Sequence, residues 1–225
     1  MGAFIQDIYL AVLDNILEPE AVIYMRFTDD IAFFCDTKEQ AKWALDQVKK
    51  TCEKRSIIIN EEKTGIVLPG ETVELLGIDI FDGGFDIGSH SMQKILSKLR
   101  RFRNKQLRRQ RRGITTKEKS MARMIRFADK MFFGIKRDDH EFNWVIHAFP
   151  IITRTDSLAK LDRFVQDCIR VVGSGKLGNA KYRIRYRDMC EAGYRSLVHA
   201  YYHGYTVKEV RQDARSAYNT DTGIG

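Results

Sequence analysis

Two adjacent carboxylates, Asp29 and Asp30, sit between two short apolar runs, Val22-Ile23-Tyr24-Met25-Arg26-Phe27 and Ile31-Ala32-Phe33-Phe34. Side by side on a turn, such groups offer hard oxygen ligands to Mg²⁺, which is commonly held by one or two carboxylates together with substrate phosphates. A bare Asp-Asp pair needs no function, because Asp is a common turn residue and an exposed pair costs little. The context argues for more. Both flanking runs read as buried strands, which places the pair at the edge of a packed sheet.

Upstream of the pair, Ala3 to Leu17 reads as an amphipathic helix, with Phe4, Ile8, Ala11, Val12 and Ile16 at helical spacing. Ala21 to Cys35 reads as a β-hairpin turning at Thr28, Asp29 and Asp30. Thr37 caps a helix running to about Arg55. Strands are expected over Ser56–Asn60 and Gly65–Leu68, and a second hairpin over Val73–Phe81 and Gly84–Ile87 around Asp82-Gly83. After about residue 90 the pattern becomes helical, over Ser91–Arg112, Thr116–Phe133, Asp139–Phe149, Ser157–Val172 and Tyr186–Tyr205. Asn219 to Gly225 shows no periodicity and reads as a frayed tail. The fold class is α+β, with an α+β part at 1–90 and a helical part at 91–225.

Lys and Arg total 38 against 30 Asp and Glu, a formal charge of +8 in 225 residues. This balance makes an anionic partner plausible. Cys35, Cys52, Cys168 and Cys190 show no zinc spacing and read as reduced thiols. No apolar run reaches membrane-spanning length, and the expected setting is soluble and cytoplasmic. Ten basic residues lie between Lys94 and Arg112, and no acid lies between Asp86 and Glu118. Acidic partners one turn away are absent, so this helix repels itself unless an anion neutralises it. Ile95, Leu99 and Phe102 would dock it while Arg100, Arg101, Arg103, Lys105, Arg108, Arg109, Arg111 and Arg112 point outward to phosphates. Arg26 is placed to pair with a neighbouring acid. The five histidines have no metal-ligand pattern, and Tyr201, Tyr202 and Tyr205 read as core.

Met25-Arg26-Phe27-Thr28-Asp29-Asp30-Ile31-Ala32-Phe33-Phe34 resembles the aspartate-pair box of reverse transcriptases, with Phe27 where a tyrosine is more familiar. Asn60-Glu61-Glu62-Lys63-Thr64 is similar to the family's next motif, and Glu74-Leu75-Leu76-Gly77-Ile78-Asp79-Ile80 to the primer-grip hairpin after it. Gly2-Ala3-Phe4 and Tyr9 to Asp14 resemble the end of the nucleotide-contacting motif and its helix. The helical remainder is similar to a thumb of the bacterial type found in group II intron, retron and diversity-generating enzymes, notably at Leu158 to Asp162 and Gly193 to Val198.

The resemblance implies part of a right-hand polymerase, with the end of the palm at 1–90 and a thumb at 91–225. It implies Asp29 and Asp30 as ligands of Mg²⁺ (or Mn²⁺ in its place), Leu76-Gly77 as primer grip, and Lys63 near the nucleotide phosphates or as proton donor to pyrophosphate. Its partners would be an RNA template, a DNA or RNA primer and a dNTP, in a prokaryotic or phage setting. The family also uses an aspartate on an earlier strand and a fingers subdomain, and Asp7 and Asp14, on the first helix, do not substitute. Two-metal catalysis needs carboxylates that hold two ions about 4 Å apart. The expectation is an RNA-directed DNA polymerase part completed by a second polypeptide, with an inert RNA-binding scaffold or an assembly subunit as rivals.

Overall fold

The computed structural model describes residues 2–134 and 148–203. The chain divides into two compact units, one comprising Met1–Leu76 with Ile80–Asp82, the other Gly77–Asp79 with Gly83–Gly225. Residues 139–147 of the predicted Asp139–Phe149 helix, Tyr205 and the predicted tail lie outside the described residues; Ala148 and Phe149 form a turn.

In the first unit, α1 (Gly2–Leu17) is followed by a short 3-10 turn, Glu18–Glu20, whose Pro19 bars further helix. Strands β1 (Ile23–Phe27) and β2 (Asp30–Phe34) form an antiparallel pair. Helix α2 (Lys38–Lys54) starts in a capping box, where the Thr37 hydroxyl accepts from Gln40 N–H and the Gln40 amide oxygen accepts from Thr37 N–H. Leu10, Leu13 and Leu17 of α1 and Ala44 of α2 form a small core against Tyr24, Ile31 and Phe33 of the hairpin.

Two predicted strands do not form. Residues 57–60 and 64–68 are irregular, and Ile58 is 96% exposed. Their β-branched apolar runs satisfy strand propensity, but no ladder partner lies alongside among the described residues, and an unpaired run cannot satisfy its backbone groups. The predicted single strand Val73–Phe81 is two strands, β3 (Val73–Leu75) and β4 (Ile78–Phe81), which with β5 (Gly84–Ile87) form a sheet in the order β3-β4-β5. The break falls at Leu76-Gly77, whose φ values of 50° and 82° are those of a two-residue hairpin loop of the type that needs positive φ at both positions.

The second unit is built on α3 (Ser89–Arg111), α4 (Lys117–Phe132) and α5 (Asp156–Ser174), followed by α6 (Tyr186–Glu191) and α7 (Leu197–His203). Their shared core includes Leu99, Met124, Leu158, Leu161, Val165 and Ile169, and Phe102 stacks on Phe127 with ring centroids 4.0 Å apart. Thr116 caps α4, accepting from Lys119 N–H, and Gly175 ends α5 at φ 73° with its N–H on the Val171 carbonyl. The helix predicted over Tyr186–Tyr205 is broken between α6 and α7. There Gly193 takes φ 91°, and buried Asp162 accepts from Tyr194 Oη, Ser196 Oγ, Leu197 N and Val198 N. A carboxylate reaching in from α5 satisfies the donors that begin a new helix, which helical periodicity along one segment does not reveal.

Candidate metal and nucleic-acid sites

The register of the β1–β2 pair sets Tyr24 opposite Phe33, Arg26 opposite Ile31 and Phe27 opposite Asp30. The loop is therefore only Thr28-Asp29, and Asp30 is the first residue of β2 rather than part of the turn. Thr28 takes φ 56°, a conformation that a β-branched residue adopts only under strain. Its hydroxyl lies 2.8 Å from Asp29 Oδ1 and 2.7 Å from the Phe27 carbonyl, so it can donate to either.

Below the loop, Arg26 reaches across to α1. Its Nε and Nη2 donate to the two oxygens of Asp14, each at 2.7 Å, and its Nη1 donates to the Thr28 carbonyl at 3.1 Å. Tyr24 Oη adds a third bond to Asp14 Oδ1 at 2.7 Å. The expectation that Arg26 pairs with a nearby acid holds, and Asp14 is the acid. The guanidinium holds the Asp14 carboxyl below its ordinary range, while burial and the neighbouring carboxylate push the Tyr24 phenol well up. The loop is thus anchored to a helix by a charged fork.

Asp29 and Asp30 are both exposed. Asp29 is held below the ordinary carboxylate range by the Thr28 hydroxyl first, then by a backbone hydrogen bond, with a weaker pull from the Lys63 ammonium. The structure thereby brings Lys63 into the electrostatic neighbourhood of Asp29. Among the described residues, no group of three or more His, Cys, Asp or Glu side chains gathers to hold a metal. The donor set on this loop fits a hard cation that draws its remaining ligands from water and phosphate, and two carboxylates are all it offers.

The expectation of buried flanking strands is half corrected. Tyr24, Ile31 and Phe33 pack inward, but the opposite face exposes Ile23 (54%), Met25 (45%), Phe27 (64%) and Phe34 (38%). The apolar residues fall on both faces, and among the described residues the small core of α1 and α2 covers one of them.

Leu76, at positive φ, is 59% exposed. Gly77 takes φ 82°, which L side chains rarely adopt; a Cβ there would also lie 2.5 Å from Ser91 Oγ, which would have to turn away, and its carbonyl accepts from Gly88 N–H at 2.8 Å. Strain in a non-glycine residue at an exposed loop tip is a feature that functional sites retain.

On α3 and at its C-cap, Lys94, Lys98, Arg101, Lys105, Arg108 and Arg112 recur at alternating steps of four and three and are all exposed. They line one face of the helix over about 25 Å. None of the six has an acidic partner among the described residues. Arg111 is also exposed. Not every arginine points outward as expected. Arg100 is exposed but lies 5.8 Å over the Phe164 ring, and half-buried Arg103 sits beside Cys168, whose thiol is pushed up to about 12 by burial. Arg109 is half-buried, with its Nε enclosed and without a hydrogen-bond partner. Of the other expectations, Tyr202 is 66% exposed rather than core. No described helix is long and apolar enough to cross a membrane.

Sequence reasoning missed Asp14, Thr28 and Asp162 as positioning residues. Their signal is a partner distant in sequence or a backbone angle, neither of which composition carries.

Comparison with known proteins places a reverse transcriptase (RNA-dependent DNA polymerase) family match at residues 1–80. A 99-residue stretch is 29% identical to a putative enzymatic polyprotein of Cassava vein mosaic virus, covering 44% of this chain and 15% of that one. The chain thus spans a small part of the length of that relative. No solved structure gives a significant match.

Proposed function

We propose that the chain is part of an RNA-directed DNA polymerase, with Asp29 and Asp30 as the part of its metal site carried here. The observation that carries this reading is a rigid hairpin tip bearing two exposed carboxylates, Asp29 held ionised, inside the stretch that matches the reverse transcriptase family. Members of that family generally use divalent metals. Asp29 and Asp30 would hold Mg²⁺, which when bound neutralises triphosphate charge and makes the primer hydroxyl a better nucleophile. Thr28 orients Asp29, Arg26 fixes the loop on Asp14, and Lys63 offers positive charge to the nucleotide phosphates.

The third carboxylate and the fingers are supplied from outside the described residues, by a further segment or a second polypeptide. Two features support this: no third ligand joins the pair among the described residues, and the outer face of the hairpin leaves Ile23, Met25 and Phe27 bare. Such an apolar face is costly in water and suits a protein partner. The 1–90 part then reads as the end of a palm, with Leu76-Gly77 against the primer. The 91–225 part reads as a thumb that tracks a template–primer duplex through the α3 stripe.

Primer extension on an RNA template, by this chain alone and with candidate partner polypeptides, is the test. Synthesis by an assembled pair that Asp29→Ala abolishes is the expected result. Synthesis indifferent to Asp29→Ala overturns the metal assignment. RNA binding with no synthesis in any assembly points instead to an inert RNA-binding scaffold.

A further inference from the structure

Between Asp167 and Asp188 the chain carries no acid, and from Lys176 to Arg187 it reads K-L-G-N-A-K-Y-R-I-R-Y-R. Five cations, Lys176, Lys181, Arg183, Arg185 and Arg187, are interleaved there with two tyrosines. The segment forms a 3-10 turn, Asn179–Arg183, and leads into α6. Tyr182 is 60% exposed and Tyr186 49% exposed, and Arg183, Arg185 and Arg187 are exposed as well.

The segment is a fixed platform. Lys181 pairs with Asp167 on α5, Arg170 Nε donates to the Ile184 carbonyl at 3.3 Å, and the half-buried Ile184 packs against the core of the second unit. Gly173 on α5 leaves room for the Ile184 side chain, which would lie 3.3 Å from an added Cβ. The Tyr186 ring meets the buried Tyr194 ring edge-on, with centroids 6.1 Å apart. Tyr182 has the Lys181 ammonium 5.2 Å and the Arg170 guanidinium 5.9 Å from its ring centre. Of the five cations, Lys181 and Arg187 have acidic partners, Asp167 and Glu191; Lys176, Arg183 and Arg185 have none among the described residues.

We propose that Lys176–Arg187 is a binding site for single-stranded nucleic acid, separate from the α3 stripe. Exposed rings on an anchored backbone give bases a surface to stack on, and stacking does not require a particular base. Arg183 and Arg185 meet the phosphates between stacked bases, releasing counterions as they do so. The pairing of rings with cations separates this site from α3, whose exposed face carries cations without exposed aromatics and suits a backbone alone. It also favours nucleic acid over an acidic peptide, which would use the cations and leave the tyrosines idle. The inference stands without the polymerase reading, since it requires neither Asp29 nor a second polypeptide.

Fluorescence anisotropy of the full chain with a labelled twelve-nucleotide single strand, of mixed sequence and as RNA or DNA, tests it, with a duplex of the same sequence as comparison. Tyr182→Ala with Tyr186→Ala should weaken single-strand binding by roughly tenfold or more and leave duplex binding within about twofold. Tyr182→Phe with Tyr186→Phe should retain most of the affinity, because the rings remain. Arg183→Glu with Arg185→Glu should weaken binding and flatten its salt dependence. Equal single-strand affinity in the tyrosine-to-alanine variant and the parent, at equal thermal stability, overturns the proposal. Loss of affinity in the phenylalanine variant overturns the stacking assignment. Complete competition by poly-glutamate that is indifferent to the alanine variant would reassign the patch to acidic protein partners.

Discussion

Arg26 holds Asp14 through two parallel hydrogen bonds of 2.7 Å, joining the strand that leads to Asp29 to the first helix. Both side chains are largely enclosed, at 12% and 26% exposure, so water screens the pair only in part. Removing the acid takes two charged hydrogen bonds from a largely enclosed guanidinium. Asp14→Ala is expected to lower stability by about 2 kcal/mol, read as a lower urea midpoint. Because Asp14 titrates lower when folded than when unfolded, its contribution is present above the ordinary carboxylate range. It is lost as pH falls through the lower folded value. The acid limb of the stability–pH curve should therefore flatten in Asp14→Ala, and an unchanged limb would count against the pairing.

The strain at Thr28 separates stability from metal affinity. Thr28→Gly relieves the positive φ and is expected to raise stability by about 1 kcal/mol, while removing the hydroxyl beside Asp29. Mg²⁺ affinity, followed by calorimetric titration, should fall in that variant and rise with pH over a slightly higher range than in the parent, since Asp29 then ionises later. An assembled polymerase carrying Asp29→Ala should lose extension by roughly a hundredfold or more, the kinetic equivalent of several kcal/mol of charge stabilisation.

At the β3–β4 loop the two residues answer differently. Gly77→Ala meets both a positive φ of 82° and Ser91 Oγ 2.5 Å away, and should destabilise the chain by about 2 kcal/mol. Leu76→Asn relieves a φ of 50° in a residue that tolerates it and should stabilise by a fraction of that. If exposed Leu76 touches a primer, the same change slows extension of an assembled enzyme despite the gain in stability. Faster or unchanged extension argues against the primer-grip assignment.

For α3, Lys98→Glu with Arg101→Glu should weaken duplex binding about equally across sequences. The salt slope for DNA should fall by about one for each phosphate that is no longer neutralised. Filter binding over a range of salt concentrations measures it. Arg103 and Arg109, half-buried, should instead affect stability when truncated, and a pure binding loss from Arg109→Ala would contradict their placement.

Asp162 is 5% exposed and accepts from Tyr194, Ser196, Leu197 and Val198. Asp162→Ala strands two backbone N–H groups at the start of α7 and should cost about 3 kcal/mol. Loss of helical circular dichroism on mild heating, with the first unit's Tyr24–Asp14 hydrogen bond intact, is the expected signature.

Much of this architecture was legible in the chain. The hairpin around Asp29, the cap at Thr37, the helix start at Thr116 and the long basic helix all follow from patterns spanning a few residues, and local patterns survive folding because local geometry creates them. Where partners are distant, reading along the chain failed. Ile57 to Asn60 has the β-branched run of a strand yet finds no ladder, and Tyr186 to Tyr205 reads as one helix until Asp162 enters its middle. Charge was legible in number and not in direction, since whether Arg103 faces solvent or Cys168 depends on where α5 lies.

The sequence by itself determined the chemistry on offer: two adjacent carboxylates on a strand-flanked loop, a glycine where the next hairpin turns, and a cationic helix free of acids. Residue type and short spacing are enough for that, because they set charge, ligand hardness and turn preference. Only the tertiary structure decided which face of the hairpin is bare, which acid holds Arg26, and that Lys63 stands near Asp29. Those outcomes rest on interactions between residues far apart in the chain, and the packing of α1 and α2 against a single face of two strands selects them.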